Sequence, residues 1–284
     1  MIDPYVNNPK SQKYYVRRYF ESIKTDLKGK KVIDIPAGNG ATTEILMEAG
    51  ADVEPYDLFP EYFLLKNIEC KRADIADRIP VPDGHADWLT CQDGVEHFSD
   101  QLHAFKEFSR VLKKNGKLLL TTPSYSSLSA KINYLLFESE NHKQMPPNEI
   151  DDIWMDDRSV SQTLYHGHIF LIGLQRLRIL AKLSGFRINE VRYMRLSKGS
   201  LALFPFFFPF IWISSWFRYF RNMKKHPEIS EQVKKKVYLE QLRINISPEN
   251  LLNKHTFIIF EKENDVKDLH FRIESMVKPF GDII

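Results

Sequence analysis

The hydrophobic positions along the chain predict strands and helices that alternate. Val32, Ile33 and Ile35 form a short apolar run that reads as a buried strand, and it leads into a turn carrying Gly38 and Gly40. From Thr42 the pattern opens a helix. A second apolar run, Ala51 to Tyr56, ends at Asp57, and Ile68 to Arg72 reads as a third strand. The stretch from Ile79 to Cys91 is a Pro/Gly turn that leads into a fourth. Leu102, Phe105, Phe108 and Leu112 then recur at helical spacing, and Asn115-Gly116 turns the chain into a strand over Lys117 to Thr122. Farther on, a helix is predicted from Leu128 to Phe137, and another through Leu174, Leu177, Leu180 and Leu183, closed by Gly185. Phe186 to Tyr193 and His255 to Phe260 read as two more strands. Residues 1–30 form one or two helices ahead of the first strand.

A buried strand, a glycine-bearing turn and a helix in that order belong to a parallel α/β sheet that presents backbone amides to a nucleoside-containing ligand. Gly38 and Gly40 let the backbone pass close to the ligand, and the helix N-terminus faces the same crevice. Asp57 ends the second strand, where a carboxylate can accept hydrogen bonds from both hydroxyls of a ribose. A dinucleotide fingerprint needs a third glycine three residues after the second, for close helix–strand packing. That position is Thr43, which weakens the dinucleotide reading.

The motif from Asp34 through Gly38 and Gly40 instead resembles motif I of the class I S-adenosylmethionine (SAM) methyltransferases, with Pro36 in place of the usual first glycine. The order of later segments is similar too: Ala73-Asp74-Ile75 after the third strand, Gln92-Asp-Gly-Val-Glu-His97 after the fourth, and Ser-Gly-Phe before the sixth. The resemblance implies a Rossmann-like, doubly wound α/β fold. Its sheet has seven strands, the last antiparallel, with an apolar helical insertion between strands six and seven. It also implies SAM as cofactor, contacted by Asp34, Pro36, Gly38, Gly40, Asp57, Leu58, Asp74, Ile75 and Gln92. In the family an acidic residue at the place of Asp74 reaches the adenine amino group. The leader helix sits over the cofactor crevice in this family, so Tyr14, Tyr15, Val16, Tyr19 and Phe20 either cover the crevice or pack on the sheet.

Bulk composition narrows the choice of partner. The chain has 284 residues, 43% of them apolar and 27% charged, which is ordinary for a globular protein. Its net charge of +3 (40 − 37) is too small to imply nucleic-acid binding. Cys70 and Cys91 fit no metal spacing, and on strands that are not neighbours they read as reduced cytosolic thiols. The segment Met1 to Phe20 has no apolar core of a secretion signal. The division expected is a leader over 1–30, a SAM-binding domain over 31–198 and 251–263, an insertion over 199–250 and a tail over 264–284.

The insertion changes the picture. Leu201 to Phe220 contains seven phenylalanines, two tryptophans and one charge, and residues 218–236 carry seven Lys/Arg against two Glu. Twenty largely apolar residues meet the length of a bilayer span. A single crossing conflicts with strands six and seven sharing one sheet, and Pro205 and Pro209 interrupt helical hydrogen bonding. Two readings remain: an interfacial element facing anionic lipid on the cytosolic side of a membrane, or a lid or oligomer contact.

A methyl acceptor with a hydroxyl nucleophile needs a group to take its proton, and histidine suits this near neutral pH. His97, His166 and His168 are the candidates, with Asp93 as another. Each histidine can equally hold a loop through a backbone hydrogen bond. No metal is expected, because the His166-x-His168 pair lacks partner ligands in sequence. The connection from Pro123 to about Tyr165 exceeds ordinary loop length and reads as a lid, its acidic residues Asp151, Asp152, Asp156 and Asp157 forming a solvated face. The expected function is O-methylation of an amphiphilic, membrane-associated acceptor such as a surface-glycan precursor. A soluble enzyme for a small metabolite and a non-catalytic, membrane-tethered SAM-binding protein are the alternatives.

Overall fold

The computed structural model describes residues 3–139, 146–154 and 165–267. Seven strands form one sheet: β1 (Lys31–Asp34), β2 (Asp52–Asp57), β3 (Lys71–Arg72), β4 (Ala86–Gln92), β5 (Leu112–Pro123), β6 (Phe186–Val191) and β7 (His255–Lys262). Their spatial order is β3-β2-β1-β4-β5-β7-β6. The first five run parallel, while β7 lies antiparallel to both β5 and β6. The order reverses between β1 and β4, and at such a switch point the carboxyl ends of the strands open a crevice.

Helices cover both faces. They are α1 (Gln12–Ser22), α2 (Lys24–Leu27), α3 (Ala41–Glu48), α4 (Gln101–Val111), α5 (Leu128–Phe137), α6 (Leu174–Lys182), α7 (Lys198–Met223), α8 (Glu231–Ile246) and α9 (Pro248–Leu252). Strand side chains alternate between the faces, so neighbours in sequence enter different cores. Ile33, Leu89, Leu118 and Phe260 pack with Phe105 and Phe108 of α4 and Leu177 of α6. Val32, Trp88, Leu119 and Phe257 pack with Val16, Tyr19 and Phe20 of α1 and Leu46 of α3. The leader aromatics therefore take the packing role: Phe20 meets Trp88 edge-on and Tyr19 meets Phe257.

The third strand is shorter than expected. Only Lys71 and Arg72 pair with β2, because β3 is an edge strand and residues 66–69 ahead of it stay partly or fully exposed. Cys70 precedes that strand and Cys91 lies buried on β4, both free, with β2 and β1 between the two strands. Of the predicted lid, α5 occupies its expected range. Asp151 and Asp152 cap a turn through Asn148, and Ile153–Trp154 pairs antiparallel with Tyr165–His166. Asp156 and Asp157 lie outside the described residues.

The insertion is an apolar helix, as expected. Pro205 and Pro209 interrupt its hydrogen bonding without ending it, for α7 is one continuous helix of 26 residues. The two prolines stand four apart, hence on one face, and both are exposed. The carbonyls of Leu201 and Pro205, which lose their N–H partners to the rings, thus face outward rather than into the protein. The inner face is fixed by polar contacts. Ser200 Oγ accepts from Ser129 N of α5 at 3.0 Å, and Asn245 of α8 donates to Ser215 Oγ at 2.7 Å. An ion pair between Arg178 and Glu240 (2.8 Å) in turn ties α8 to α6. The outer face exposes Phe206, Phe210, Ile213 and Phe217, each at 60% or more; Leu135 and Leu136 of α5 are exposed as well.

Candidate active site

The turn after β1 is organised from beneath. Asp34 is fully buried, and its two oxygens accept from Thr43 Oγ1 and Thr90 Oγ1, both at 2.6 Å. Burial pushes this carboxyl up to about 6, against the pull of the two hydroxyls. Gly40 starts α3 with φ +92°, and a Cβ there would lie 2.9 Å from Phe63 and 3.2 Å from Leu65. Pro36, the departure from the family motif, rests on Gly94, where a Cβ would come within 2.5 Å of the proline ring. Gly38 takes φ +53° with open space on its side-chain side.

Gly38 lines a cavity of about 570 Å³ at the carboxyl ends of β1, β2 and β4. Of the residues expected to contact the cofactor, Pro36, Gly38, Asp57, Leu58, Asp74, Ile75 and Gln92 line it. Asp34 and Gly40 are not among its lining residues: Asp34 is held by Thr43 and Thr90, and Gly40 carries the turn into α3. Asp57 is nearly buried, and its oxygens accept from Gly38 N (2.7 Å) and Phe59 N (2.8 Å). Gln92 Oε1 accepts from Thr42 Oγ1 at 2.6 Å.

Three further residues belong to this region that sequence reasoning missed. Lys13 lines the cavity and pairs with Asp3 at 2.5 Å, while Asn39 of the glycine turn donates to the same carboxylate at 3.1 Å. Gln12 Nε2 donates to Asp93 at 2.7 Å, on the far side of the crevice. The N-terminal segment thus reaches the site with polar side chains, and nothing in its local pattern announces this. Asp93, one of the candidate bases, sits at φ +48° and also accepts from Thr121 Oγ1 at 2.9 Å.

His97 lines the cavity, and its ring lies 5.3 Å from that of His168, centroid to centroid. His97 Nδ1 stands 3.2 Å from the carbonyl of Gly167, so the N–H at that nitrogen donates to it. Burial lowers the pKa of His168, opposed by the charges of Asp93 and Asp152. The backbone of His166 forms part of the short ribbon, but its side chain lies outside the described residues. The fold adds Glu96 and His255. Glu96 is fully buried, with Oε2 accepting from Thr122 Oγ1 at 2.9 Å. Burial lowers the pKa of His255, at the head of β7, opposed by the charge of Asp93.

The geometry is matched by relatives. Residues 11–191 match the family model for a methyltransferase domain, well over half of the chain. The chain belongs to this family. Its domain is a SAM-dependent methyltransferase domain, with S-adenosyl-L-methionine as cofactor. Over 116 residues the chain is 29% identical to a ubiquinone biosynthesis O-methyltransferase of Xanthomonas oryzae pv. oryzae, an alignment covering 38% of this chain and 48% of that protein. The chain thus spans about half the length of the curated relatives it matches. A SAM-dependent methyltransferase from Archaeoglobus fulgidus shares the fold at TM-score 0.50 and 15% identity, covering 91% of this chain and 97% of its own. An S-adenosylmethionine-dependent methyltransferase from Mesorhizobium loti does so at TM-score 0.50 and 12% identity, covering 89% and 98%.

The residues present fit the cofactor. Each oxygen of Asp57 accepts one backbone N–H and has a further lone pair for a hydroxyl. Gly38 lines the cavity at a positive φ that disfavours any residue with a side chain. The Asp57→Ala substitution is expected to cost about 1.5–3 kcal/mol of SAM affinity, the range for hydrogen bonds to a charged group, as titration calorimetry will read. It also lowers the melting temperature of the free protein, because Gly38 N and Phe59 N lose their acceptor.

A second expectation concerns Asp34. Its folded pKa lies above the unfolded one, so the native state takes up a proton as pH falls through about 6 and is stabilised relative to the unfolded chain. Urea unfolding of the cofactor-free protein should therefore show wild type gaining on Asp34→Asn between pH 7 and pH 4. A pH-independent difference between the two would contradict this.

Proposed function

We propose that the protein is a SAM-dependent O-methyltransferase whose acceptor is an amphiphile held at the cytosolic surface of a membrane. Oxygen as the methylated atom is supported by the His97–His168 pair at the edge of the cavity, which can promote loss of the acceptor hydroxyl's proton either as a base or as ligands of a cation. The name of the similar Xanthomonas oryzae protein, an O-methyltransferase, supports the same atom. SAM supplies an electrophilic methyl group. The chain's own residues bind and orient: Asp57 holds the ribose, Asp74 and Ile75 flank the base, and Gln92 and Asp93 border the reacting end. The apolar walls, Ile35, Phe59 and Phe98 among them, exclude water.

The observation that carries the membrane part is α7. By length and composition it is long and apolar enough to cross a bilayer, yet only 11% of its most apolar window is buried. A single crossing is incompatible with the pairing of β6 and β7 on either side of the insertion. Lying in the interface, α7 places Phe206, Phe210 and Phe217 among acyl chains, while the seven Lys/Arg of residues 218–236 meet anionic headgroups. The free cysteines agree with a reducing compartment on that side.

Two measurements test this. Labelled methyl from SAM should enter the organic phase of extracts from the source cells. Label only in water-soluble products would point to a small metabolite, and none at all, from protein that binds SAM, to a non-catalytic role. Wild type should also float with phosphatidylglycerol vesicles at low salt, and less so at high salt. The triple substitution Phe206→Ser, Phe210→Ser, Phe217→Ser, made on exposed positions, should stay unbound; equal flotation of the two would remove the membrane part.

A further inference from the structure

We infer that Glu96, His97 and His168 form a binding site for one divalent cation at the rim of the cofactor cavity, with the acceptor oxygen as a further ligand. The sequence spacing of His166 and His168 supplies no other donor, but the fold does. The turn Val95–His97 after β4 and the turn His168–Phe170 pack together, and each of the three side chains offers a ligand atom within 4.8 Å of the others.

The three donors are oriented as ligands are. Glu96 carries a carboxylate with no solvent exposure; Thr122 fixes Oε2, and Oε1 has no hydrogen-bond partner among the described residues. A buried carboxylate oxygen with nothing to accept from is costly unless a cation or donor faces it. In His97, the Gly167 carbonyl accepts from Nδ1–H, which makes Nε2 the ligating nitrogen. Second-shell carbonyls orient metal-ligating histidines in this way. The ring of His168, 5.3 Å away at the centroid, brings the second imidazole. Asp93 adds a negative charge that acts on both Glu96 and His168.

Two imidazoles and one carboxylate select a borderline cation such as Zn²⁺, Mn²⁺ or Co²⁺ over Mg²⁺ and Ca²⁺, which prefer oxygen alone. Three protein ligands also leave coordination positions open, as catalytic rather than structural sites do. His97 lines the cavity, so an open position faces the space where a second substrate enters. The inference rests on the methyltransferase reading and makes it more specific. An acceptor hydroxyl bound to the cation gives its proton to solvent at a lower pH than a free one. Its oxygen then bonds to the methyl group as the sulfur–methyl bond breaks. His97 and His168 act here as ligands, and neither takes the proton.

The test uses the full-length chain without an affinity tag. Zn²⁺ retained after dialysis is measured by elemental mass spectrometry, and Co²⁺ is titrated by visible absorption. Wild type is expected to keep one Zn²⁺ per chain. Glu96→Gln, which preserves shape, and His168→Ala should each weaken binding at least about tenfold. Thermal unfolding in the absence of metal confirms that both variants are folded. No stoichiometric Zn²⁺ in wild type, or equal affinity in folded variants, overturns the site. Methyl transfer that survives complete removal of the cation by a chelator overturns the inference and leaves the methyltransferase reading intact. One bound cation in a protein that transfers no methyl supports the site and counts against that reading alone.

Discussion

The buried carboxylate of Asp34 is the constraint on which the cavity depends. It stands at the end of β1 and receives one hydroxyl from α3 and one from β4, so a single side chain ties three elements together under the glycine turn. Burying a carboxyl is costly, and its raised pKa records that cost; the two short hydrogen bonds offset part of it. Above this anchor the turn has little freedom. Gly40 admits Phe63 and Leu65, Pro36 rests on Gly94, and Gly38 donates its N–H to Asp57 on the neighbouring strand. The cavity wall is backbone held at both ends by carboxylates.

The other end of the cavity is built differently. Here the polar groups come from turns rather than strands: Asp93 in a left-handed conformation, Glu96 and His97 in the turn that follows, and His168 from the far end of a long connection. Their placement depends on the chain returning to the sheet after α5. The insertion between β6 and β7 makes a similar excursion and returns through α8 and α9 to close the sheet. That return keeps both ends of α7 on one side of any surface it contacts. The family match ends at Val191, so the most apolar part of the chain lies beyond the shared domain.

Much of the fold was legible in the sequence because its signals are local. Strand and helix periods, the left-handed glycines of the first turn and a carboxylate at the end of β2 are each encoded within a few residues. The cofactor side followed from these, and most of the residues expected there line the cavity. The remainder depends on the environment, which overrides the local pattern. Asp34 and Gly40 match the motif, but their packing partners, Thr43 and Thr90 for the one and Phe63 and Leu65 for the other, carry no signal in it. Pro205 and Pro209 interrupt helical hydrogen bonding, but at i, i+4 they leave their orphaned carbonyls on one exposed face and the helix continues. Ile68 reads as strand although β3 has a neighbour on one side only.

By itself, then, the sequence determined the alternation of elements, the glycine turn, the carboxylate at the end of β2 and the presence of an apolar, basic-flanked insertion. Only the tertiary structure decided which distant side chains meet. Gln12 reaches Asp93 across 81 positions, and His168 reaches His97 across a connection whose length carries no code for its end point. The physical reason is that backbone conformation is set by neighbours in the chain. A cluster such as Glu96, His97 and His168 is set by where packed elements bring the chain back, and burial of the apolar faces fixes that for the whole domain at once.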